Sequence, residues 1–284
     1  MPVVTVEGAE IAYEERGKGA PVVLLHGWNS SRKQWLLNLK ALSPRLRAIA
    51  LDLPGYGQSE EGGFPYTLDG MASLLDGFRQ ALRLPSFHLV GHSMGGCIAI
   101  RYATLFSQHV NRLVLVSTPT RTVSLGPWAL MPGASFFVSA TYRLRGENML
   151  KWMFCRNIYE PEYLDLDFLH ANLKANAMAT RHALSRSTRL VRHMNLTGDL
   201  QSINRPTLVV FGDKDRNVNT REALRQRDLL PRPYLAVLTS CGHCPMYERP
   251  GLFNTVVSDF LTADELDAAG FAAAPGKDGG APET

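Results

Sequence analysis

The sequence predicts an α/β fold in which a mostly parallel central sheet is flanked by helices. Short runs rich in β-branched residues alternate along the chain with segments of helical periodicity, the order that builds parallel sheets. Several of the runs are continuously apolar, which is typical of strands buried on both faces. With 284 residues, of which 45% are hydrophobic and 20% charged, the chain is long enough for one large domain of this class.

Six runs are predicted to be strands. Each is rich in aliphatic residues and stops at a turn residue: Pro21–Gly27, Arg47–Gly55, Ser86–Gly91, Asn111–Pro119, Arg205–Asp213 and Pro233–Gly242. Two helices are predicted between them. One lies within Tyr66–Leu84, where Thr67 is a suitable N-cap residue and apolar residues follow at helical spacing. The other lies within Cys97–Phe106.

The strand pattern stops between Thr120 and about Leu200, a segment rich in Met, Trp, Tyr and Phe. An insertion of this length between two strands predicts a helical lid over one edge of the sheet. The segment 262–284 is rich in Ala, Gly, Pro and acidic residues, which predicts a flexible tail. We therefore expect one domain over residues 1–261, with the lid at approximately 120–200 as part of it.

Composition argues against several classes of protein. The formal net charge is only +4, and aromatic residues are not interleaved with basic runs, so nucleic acid is not expected as a partner. The N-terminal segment lacks the features of a secretory signal, and no apolar run approaches the roughly 20 residues of a transmembrane helix. Four cysteines without such a signal favour reduced thiols and a cytoplasmic location.

The segment Gly91–Gly95 carries the strongest chemical signal, a G-x-S-x-G sequence between an apolar strand and a helix. A sharp turn at this point would strain the backbone of Ser93 and project its hydroxyl above the sheet, at the positive end of the helix. Glycines are needed on either side because a Cβ would collide with the adjoining strand and helix. Ser93 is therefore the predicted nucleophile, and the alternative is a glycine-rich turn with a capping serine.

A serine nucleophile needs a base and an acid, which are expected after later strands in the order Ser, Asp or Glu, His. Two acids follow the strand "TLVVFG". We predict Asp215 as the partner, because Asp213 follows the strand so closely that it suits a turn. No carboxylate follows the strand that ends near Ser117, which closes the other position for the acid. The predicted base is His243, after the final strand.

The oxyanion of an acyl-transfer step needs two hydrogen-bond donors. One candidate is the main-chain N–H of Met94, the residue after the nucleophile. The other is the main-chain N–H of Trp28, in the loop after "VVLLHG". His26 immediately precedes this loop and could be mistaken for a catalytic base. A structural histidine bonded to the main chain is the favoured interpretation.

The sequence "CGHC" at residues 241–244 has the spacing of a dithiol redox motif, and its side chains are potential metal ligands. A thioredoxin-like site would lie near the start of its domain, whereas only 40 residues follow this motif. A zinc site would need more ligands at similar spacing, and Cys97 and Cys155 lie in a predicted helix and in the lid. The role of base for His243 is therefore favoured, and no metal or cofactor is expected.

Five motifs together resemble the α/β-hydrolase fold family from Val4 to about Leu261: "LLHGW", "LDLPGYGQS", "GHSMGG", "FGDKD" and "CGHCPMYERP". The resemblance implies that Ser93, Asp215 and His243 are nucleophile, acid and base. It also implies that Trp28 and Met94 hold the oxyanion positions.

The same resemblance implies that Leu51–Ser59 is a structural turn beside the oxyanion loop, so that Asp52 and Tyr56 are architectural. From its place before the last helix, Glu248 is expected to be a structural anchor. The lid would shape an acyl pocket. Seven of its residues could line that pocket or pack within the lid itself: Trp128, Met131, Phe136, Phe137, Trp152, Met153 and Phe154.

Four lid arginines recur at near-helical spacing: Arg181, Arg186, Arg189 and Arg192. A solvated helix face explains them, and a surface for an anionic substrate or carrier protein is the alternative.

The function that the resemblance implies is a serine hydrolase acting on a carboxylic ester or thioester, through an acyl-enzyme and without a cofactor. The expected partner is a small-molecule substrate with an apolar acyl part. One alternative is C–C bond hydrolysis of a diketone with the same triad. Another, from a different class, is a receptor that keeps the fold and binds a small ligand.

Overall fold

The computed structural model describes residues 2–121, 155–161, 165–192 and 194–266. Within these residues, eight strands form one sheet. The strands are β1 (Val3–Val6), β2 (Ala9–Arg16), β3 (Ala20–Leu25), β4 (Leu46–Leu51), β5 (Phe87–His92), β6 (Val110–Val116), β7 (Thr207–Gly212) and β8 (Pro233–Leu238). Their order across the sheet is β1-β2-β4-β3-β5-β6-β7-β8.

The described α-helices flank this sheet. They are α1 (Leu36–Leu42), α2 (Leu68–Ala81), α3 (Met94–Leu105), α4 (Leu166–Asn176), α5 (Arg181–Arg192), α6 (Thr197–Ser202), α7 (Thr220–Leu229), α8 (Pro245–Glu248) and α9 (Pro250–Thr262). β1 pairs antiparallel with β2, and β2 with β4, whereas the pairings from β4 to β8 are parallel. The predicted α/β class with a mostly parallel sheet is therefore confirmed.

The sheet is buried on both faces, which explains why its central strands are continuously apolar. Successive side chains of a strand point to opposite faces. In β3, Val23 and Leu25 accordingly belong to one core cluster, while Val22 and Leu24 belong to the other. The largest fully buried side chains are divided between the two clusters, with Phe78 in the first and Trp35 in the second.

The six predicted strands all occur, but the hairpin β1–β2 was missed. Its connection is Glu7-Gly8, and both residues have positive φ, 48° and 84°. Two-residue hairpin turns of type I′ need positive φ at both central positions, which suits Gly8 but is unusual for Glu7, so the sequence does not indicate this turn. The hairpin extends the sheet with two antiparallel strands before the first predicted one.

Both predicted helices are present. The N-cap of α2 is Thr67, whose side chain accepts a hydrogen bond from the N–H of Gly70. α3 begins at Met94, three residues before the predicted start, because the G-x-S-x-G turn leads directly into the helix.

Helices α4, α5 and α6 lie in the chain between β6 and β7, where the insertion was predicted. In α5, Ala183, Ser187 and Val191 are buried, whereas the arginines lie on the opposite, more exposed side. The seven apolar residues proposed for the acyl pocket, Trp128 to Phe154, lie outside the described residues.

The topology brings the predicted functional residues together. Trp28, Ser93, Asp215 and His243 each follow the carboxyl end of one of four parallel strands, β3, β5, β7 and β8. The carboxyl ends of parallel strands meet at one edge of the sheet, where α/β proteins bind their ligands. In the part of the chain that is described, no helix has both the length and the apolar character needed to cross a membrane.

Candidate active site

Ser93 lies in the sharp turn between β5 and α3, with φ 51° and ψ −115°. A positive φ is uncommon for a residue with a side chain, and such strain costs on the order of 1–3 kcal/mol. The flanking glycines permit the turn. A Cβ on Gly95 would lie 2.5 Å from the main-chain oxygen of Leu25, and one on Gly91 would collide with the main chain of Gly95.

The hydroxyl of Ser93 is not used as a helix cap. Ser93 occupies the N-cap position of α3, yet its side chain makes no capping hydrogen bond, and the residue is only half-buried. The main-chain N–H groups of the first helical turn have no partner within the helix. The N–H of Met94, the first residue of α3, is among these groups, so an acceptor beside Ser93 would meet a donor there.

A hydrogen bond joins His243 to Asp215. Nδ1 of His243 lies 2.8 Å from Oδ2 of Asp215, and the exposed fractions of the two side chains are 8% and 0%. The other carboxylate oxygen of Asp215 accepts from the main-chain N–H groups of Asn217 at 2.8 Å and Val218 at 2.9 Å. With Nδ1 committed to the carboxylate, Nε2 is the nitrogen of His243 left to exchange a proton with a substrate or nucleophile.

Asp215 is held in its ionised form. Burial favours the neutral acid and by itself would raise the pKa of Asp215. The imidazole of His243 and the two main-chain N–H groups outweigh burial and hold the pKa below its usual value. The carboxylate is therefore available to orient the imidazole and to stabilise its cation.

Asp213 has different partners. Its Oδ1 accepts from the main-chain N–H of Cys241 at 3.2 Å, and its Oδ2 lies 3.0 Å from Nζ of Lys214. It belongs to the turn after β7, as the sequence indicated, and supports the chain just before His243.

The loop around His243 is anchored by one carboxylate. Glu248 accepts from the main-chain N–H groups of Gly242, Cys244 and Tyr159, each at 2.8 Å. The first two residues flank His243 directly, so Glu248 fixes the chain on both sides of it. The expectation that Glu248 is an anchor is confirmed.

His92, the residue before Ser93, joins the nucleophile turn to the His243 loop. Its Nε2–H donates to the main-chain oxygen of His243 at 2.9 Å, and the two rings lie 4.9 Å apart between centroids. Burial, together with the nearby His243, lowers the pKa of His92 to about 3. His92 therefore stays neutral, with its proton on Nε2. In the sequence, His92 is only the first variable residue of the G-x-S-x-G pattern.

The loop that contains Trp28 lies against Ser93. A Cβ on Gly27 would come within 3.4 Å of the Cβ of Ser93 and 2.8 Å of Nδ1 of His92. Only glycine therefore lets the two segments approach this closely.

His26 orients this loop through hydrogen bonds of both ring nitrogens. Its Nε2 accepts from the N–H of Leu53 at 3.0 Å, so Nδ1 carries the proton and donates to the main-chain oxygen of Gly27 at 2.8 Å. That oxygen and the N–H of Trp28 belong to one planar peptide, so holding the oxygen also fixes the direction of the N–H. Burial lowers the pKa of His26, which keeps it neutral. Its interpretation as a histidine bonded to the main chain is confirmed.

The turn Leu51–Ser59 supports the same loop. Asp52 is fully buried and forms an ion pair with Arg32, whose main-chain N–H also donates to Asp52 at 2.7 Å. The second oxygen of Asp52 accepts from the N–H of Gln58 at 2.9 Å. These contacts agree with the architectural role expected of Asp52.

A small apolar cavity lies between this turn, α3 and α5. The residues that line it are Leu53, Pro54, Tyr56, Tyr66, Met71, Met94, Ile98, Ser187 and Leu190.

The two cysteines of "CGHC" are free thiols, both buried. Burial raises the pKa of both thiols, which disfavours the thiolate that redox chemistry or metal binding requires. Within the described ranges, no three His, Cys, Asp or Glu side chains come together as a set that could hold a metal ion.

Comparison with known proteins gives consistent results. A family model described as the alpha/beta hydrolase family matches residues 22–256. A 2-hydroxy-6-oxononadienedioate/2-hydroxy-6-oxononatrienedioate hydrolase from Pseudomonas putida is 29% identical over 263 residues, 89% of this chain and 92% of the relative.

Two solved structures have a similar fold. A bromoperoxidase from Bacillus anthracis superposes with a TM-score of 0.81 at 23% identity, over 92% of this chain and 99% of that chain. An esterase from Exiguobacterium antarcticum superposes with a TM-score of 0.80 at 23% identity, over the same shares of the two chains. At these identities the likeness concerns the fold alone.

Proposed function

The chain belongs to the alpha/beta hydrolase family, and from this premise we propose that it is a serine hydrolase that cleaves a carboxylic ester or thioester. Ser93 is the proposed nucleophile, His243 the base and Asp215 the acid that orients the base. The observation that carries the proposal is the 2.8 Å hydrogen bond between Nδ1 of His243 and Asp215. A hydrogen bond from His92 to the main chain of His243 joins the loop of His243 to the strained turn of Ser93.

The first step is attack on the acyl carbonyl. His243 removes the proton of the Ser93 hydroxyl through Nε2, since Nδ1–H is bonded to Asp215. The main-chain N–H groups of Trp28 and Met94 stabilise the oxyanion, and a donor of this kind is worth about 3 kcal/mol of transition-state stabilisation. His243 then protonates the leaving group, and an acyl-enzyme remains on Ser93.

The second step is hydrolysis of the acyl-enzyme. His243 takes a proton from water, which attacks the same carbonyl and forms a second oxyanion at the same donors. As this intermediate collapses, His243 returns its proton to the Ser93 oxygen, and the acid is released. The proposed residues need no metal or organic cofactor for either step.

The helices between β6 and β7 belong, in this proposal, to a lid over the site. The proposed substrate has an apolar acyl part, which the many apolar and aromatic residues between β6 and β7 support. The cavity beside Met94 has room for about one water molecule and does not itself receive the acyl part.

A second candidate function is favoured by one observation. The Pseudomonas putida relative, similar over 89% of this chain, is named for hydrolysis of oxo-dienedioates. A compound with that name contains a ketone and two carboxylates but no ester, so its hydrolysis breaks a C–C bond. Transferred to this chain, the same triad would act on a diketone.

The two functions are separated by assaying both substrate classes with one preparation. We expect turnover of nitrophenyl esters, measured over a series of acyl lengths, and slower or no turnover of 2-hydroxy-6-oxo-dienoates, measured by loss of their absorbance. The Ser93→Ala variant should lose at least about 10⁴-fold in kcat on either class, as loss of a triad serine does elsewhere.

Faster turnover of the 2-hydroxy-6-oxo-dienoates than of the nitrophenyl esters would instead show that the protein hydrolyses C–C bonds. Turnover that persists in Ser93→Ala would contradict the serine mechanism for both. If neither class is turned over while a covalent probe still labels Ser93, the receptor hypothesis gains.

A further inference from the structure

Helix α5 is hydrogen-bonded to the segment Gly27–Ser31. We call this segment the oxyanion loop because it carries the proposed donor Trp28. The indole Nε1–H of Trp28 donates to the main-chain oxygen of Leu184 in α5 at 3.3 Å. This contact joins residues 156 positions apart, so it exists only when α5 is in place.

A second connection runs through Tyr56. Its hydroxyl lies 2.5 Å from the hydroxyl of Ser187 in α5. Ser187 donates its own proton to the main-chain oxygen of Ala183 at 2.5 Å, so its oxygen is the acceptor for Tyr56. The phenol of Tyr56 is therefore the donor, and the exposed fractions of Tyr56 and Ser187 are only 1% and 2%.

The same phenol also faces the oxyanion loop. Burial raises the pKa of Tyr56 and outweighs the lowering effects of the Ser187 hydroxyl and of the main-chain amide of Asn29, so the phenol keeps its proton. Asn29 directly follows Trp28 and has a positive φ of 51°, a conformation that persists only where neighbouring contacts hold it.

We propose that Tyr56 is a positioning residue for the oxyanion loop and that, with Ser187, it couples the placement of helix α5 to the direction of the Trp28 N–H. The proposal rests on the proposed function, because it assumes that this N–H receives the oxyanion. It assigns Tyr56 a role beyond the architecture that the sequence suggested.

The geometry explains why two supports are needed. His26 holds the peptide on one side of Trp28 through the oxygen of Gly27, and Tyr56 is held in turn by Ser187 of α5. The ring of Tyr56 also packs edge-on against His26, at 5.2 Å between centroids. Loss of the phenol hydroxyl alone leaves the ring and His26 in place, so the loop stays folded but the peptide of its donor is less constrained.

The test is the Tyr56→Phe variant, assayed on the best substrate of the wild-type protein. A misdirected donor acts in the transition state, so kcat should fall about tenfold, less than the hundredfold or more for a deleted donor. KM should change less than twofold. Ser187→Ala should reproduce this loss, and the double variant should lose no more than either single one, because the two hydroxyls act as one unit.

Tyr102→Phe is the matched control. Tyr102, in α3, is also fully buried, and its hydroxyl donates to Asp76 of α2 at 3.1 Å. It should lower the midpoint of thermal unfolding about as much as Tyr56→Phe does, with kcat unchanged. Should Tyr56→Phe fold poorly, Ser187→Ala carries the same test, since it removes the acceptor of the phenol proton.

Wild-type kcat in Tyr56→Phe, an equal loss in Tyr102→Phe, or additive losses in the double variant would each overturn the proposal. Ser93→Ala separates this failure from that of the proposed function. If Ser93→Ala is inactive and Tyr56→Phe is fully active, only the role of Tyr56 is lost. If Ser93→Ala remains active, the proposed function itself is wrong.

Discussion

Asp213 and Asp215 lie two positions apart but bond to different partners. Asp215 contacts the imidazole of His243 and two main-chain N–H groups, whereas Asp213 contacts the main chain of Cys241 and the side chain of Lys214. Only the contact between Asp215 and Nδ1 of His243 holds the imidazole so that Nε2 is free for proton transfer. The two carboxylates therefore form a natural pair for a residue-level test.

Asp215→Asn should lower kcat about 10⁴-fold, since a neutral amide cannot hold the imidazole in the required tautomer or stabilise its cation. Asp213→Asn keeps an acceptor for the N–H of Cys241 and should retain kcat within a few-fold. Steady-state kinetics on one substrate checks both variants. Equal losses would mean that Asp215 has no special role.

Single residues show where prediction from sequence works at this site. Ser93, Asp215 and His243 could be proposed from the sequence because each lies at a recognisable strand end within a short motif. The bond from His92 to the oxygen of His243 was not found, because it joins residues 151 positions apart. Such contacts depend on how two loops pack, and no local pattern records them.

At the scale of elements, the turn between β5 and α3 depends on what a Cβ would meet. In Gly95→Ala the new methyl group would lie 2.5 Å from the main-chain oxygen of Leu25, at the end of β3. Main chain cannot move aside as a flexible side chain can, so we expect a loss of at least about 2 kcal/mol in the free energy of unfolding. Activity should fall with it, because the turn carries Ser93.

Gly198→Ala is the control for this prediction. Gly198 lies in α6 with nothing within 4 Å of the position of its Cβ, so alanine should raise the free energy of unfolding by about 0.5 kcal/mol. Urea denaturation followed by circular dichroism measures both variants. A Gly95→Ala protein as stable and active as the wild type would contradict the account of the turn.

Elements were predicted unevenly for a physical reason. β3 to β7 lie inside the sheet, are largely buried on both faces and produce apolar runs that stand out in the sequence, whereas β1 and β2 lie toward one edge and include exposed polar residues. The connection of α5 to the oxyanion loop was also missed. Tyr56 and Ser187 are 131 positions apart, and neither belongs to a catalytic motif.

At the scale of the whole molecule, burial keeps three histidines of the described part of the chain neutral. Burial lowers the pKa of His26, lowers that of His88 to about 4 and lowers that of His92 to about 3. In the unfolded chain each imidazole takes up a proton below about pH 6.5. The folded state does not, so the unfolded state binds more protons as the pH falls.

Stability should therefore be full above about pH 6.5 and decline as the pH falls toward 4. His88 and His92 each contribute about 1.4 kcal/mol per pH unit in this window, on the order of 3 kcal/mol per unit together, and His26 acts in the same direction. Glu248, whose pKa is raised by burial, acts in the opposite direction at the acidic end. Urea denaturation between pH 7 and pH 5 measures the slope.

His88→Gln isolates one contribution, because His88 is in β5 but away from the proposed triad. In this variant the free energy of unfolding should change less steeply with pH, by about 1.4 kcal/mol per pH unit, which corresponds to one proton fewer taken up on unfolding. A slope equal to that of the wild type would show that His88 titrates alike in the folded and unfolded states.

The most direct test of the central claim is covalent labelling with a fluorophosphonate probe, measured by intact mass and peptide mapping. The account predicts one adduct, on Ser93, that forms rapidly in the wild type, is absent in Ser93→Ala and forms at least about a hundredfold more slowly in His243→Ala, since the base activates the hydroxyl. An adduct on another residue, or a Ser93 adduct that forms as fast without His243 as with it, would contradict the account.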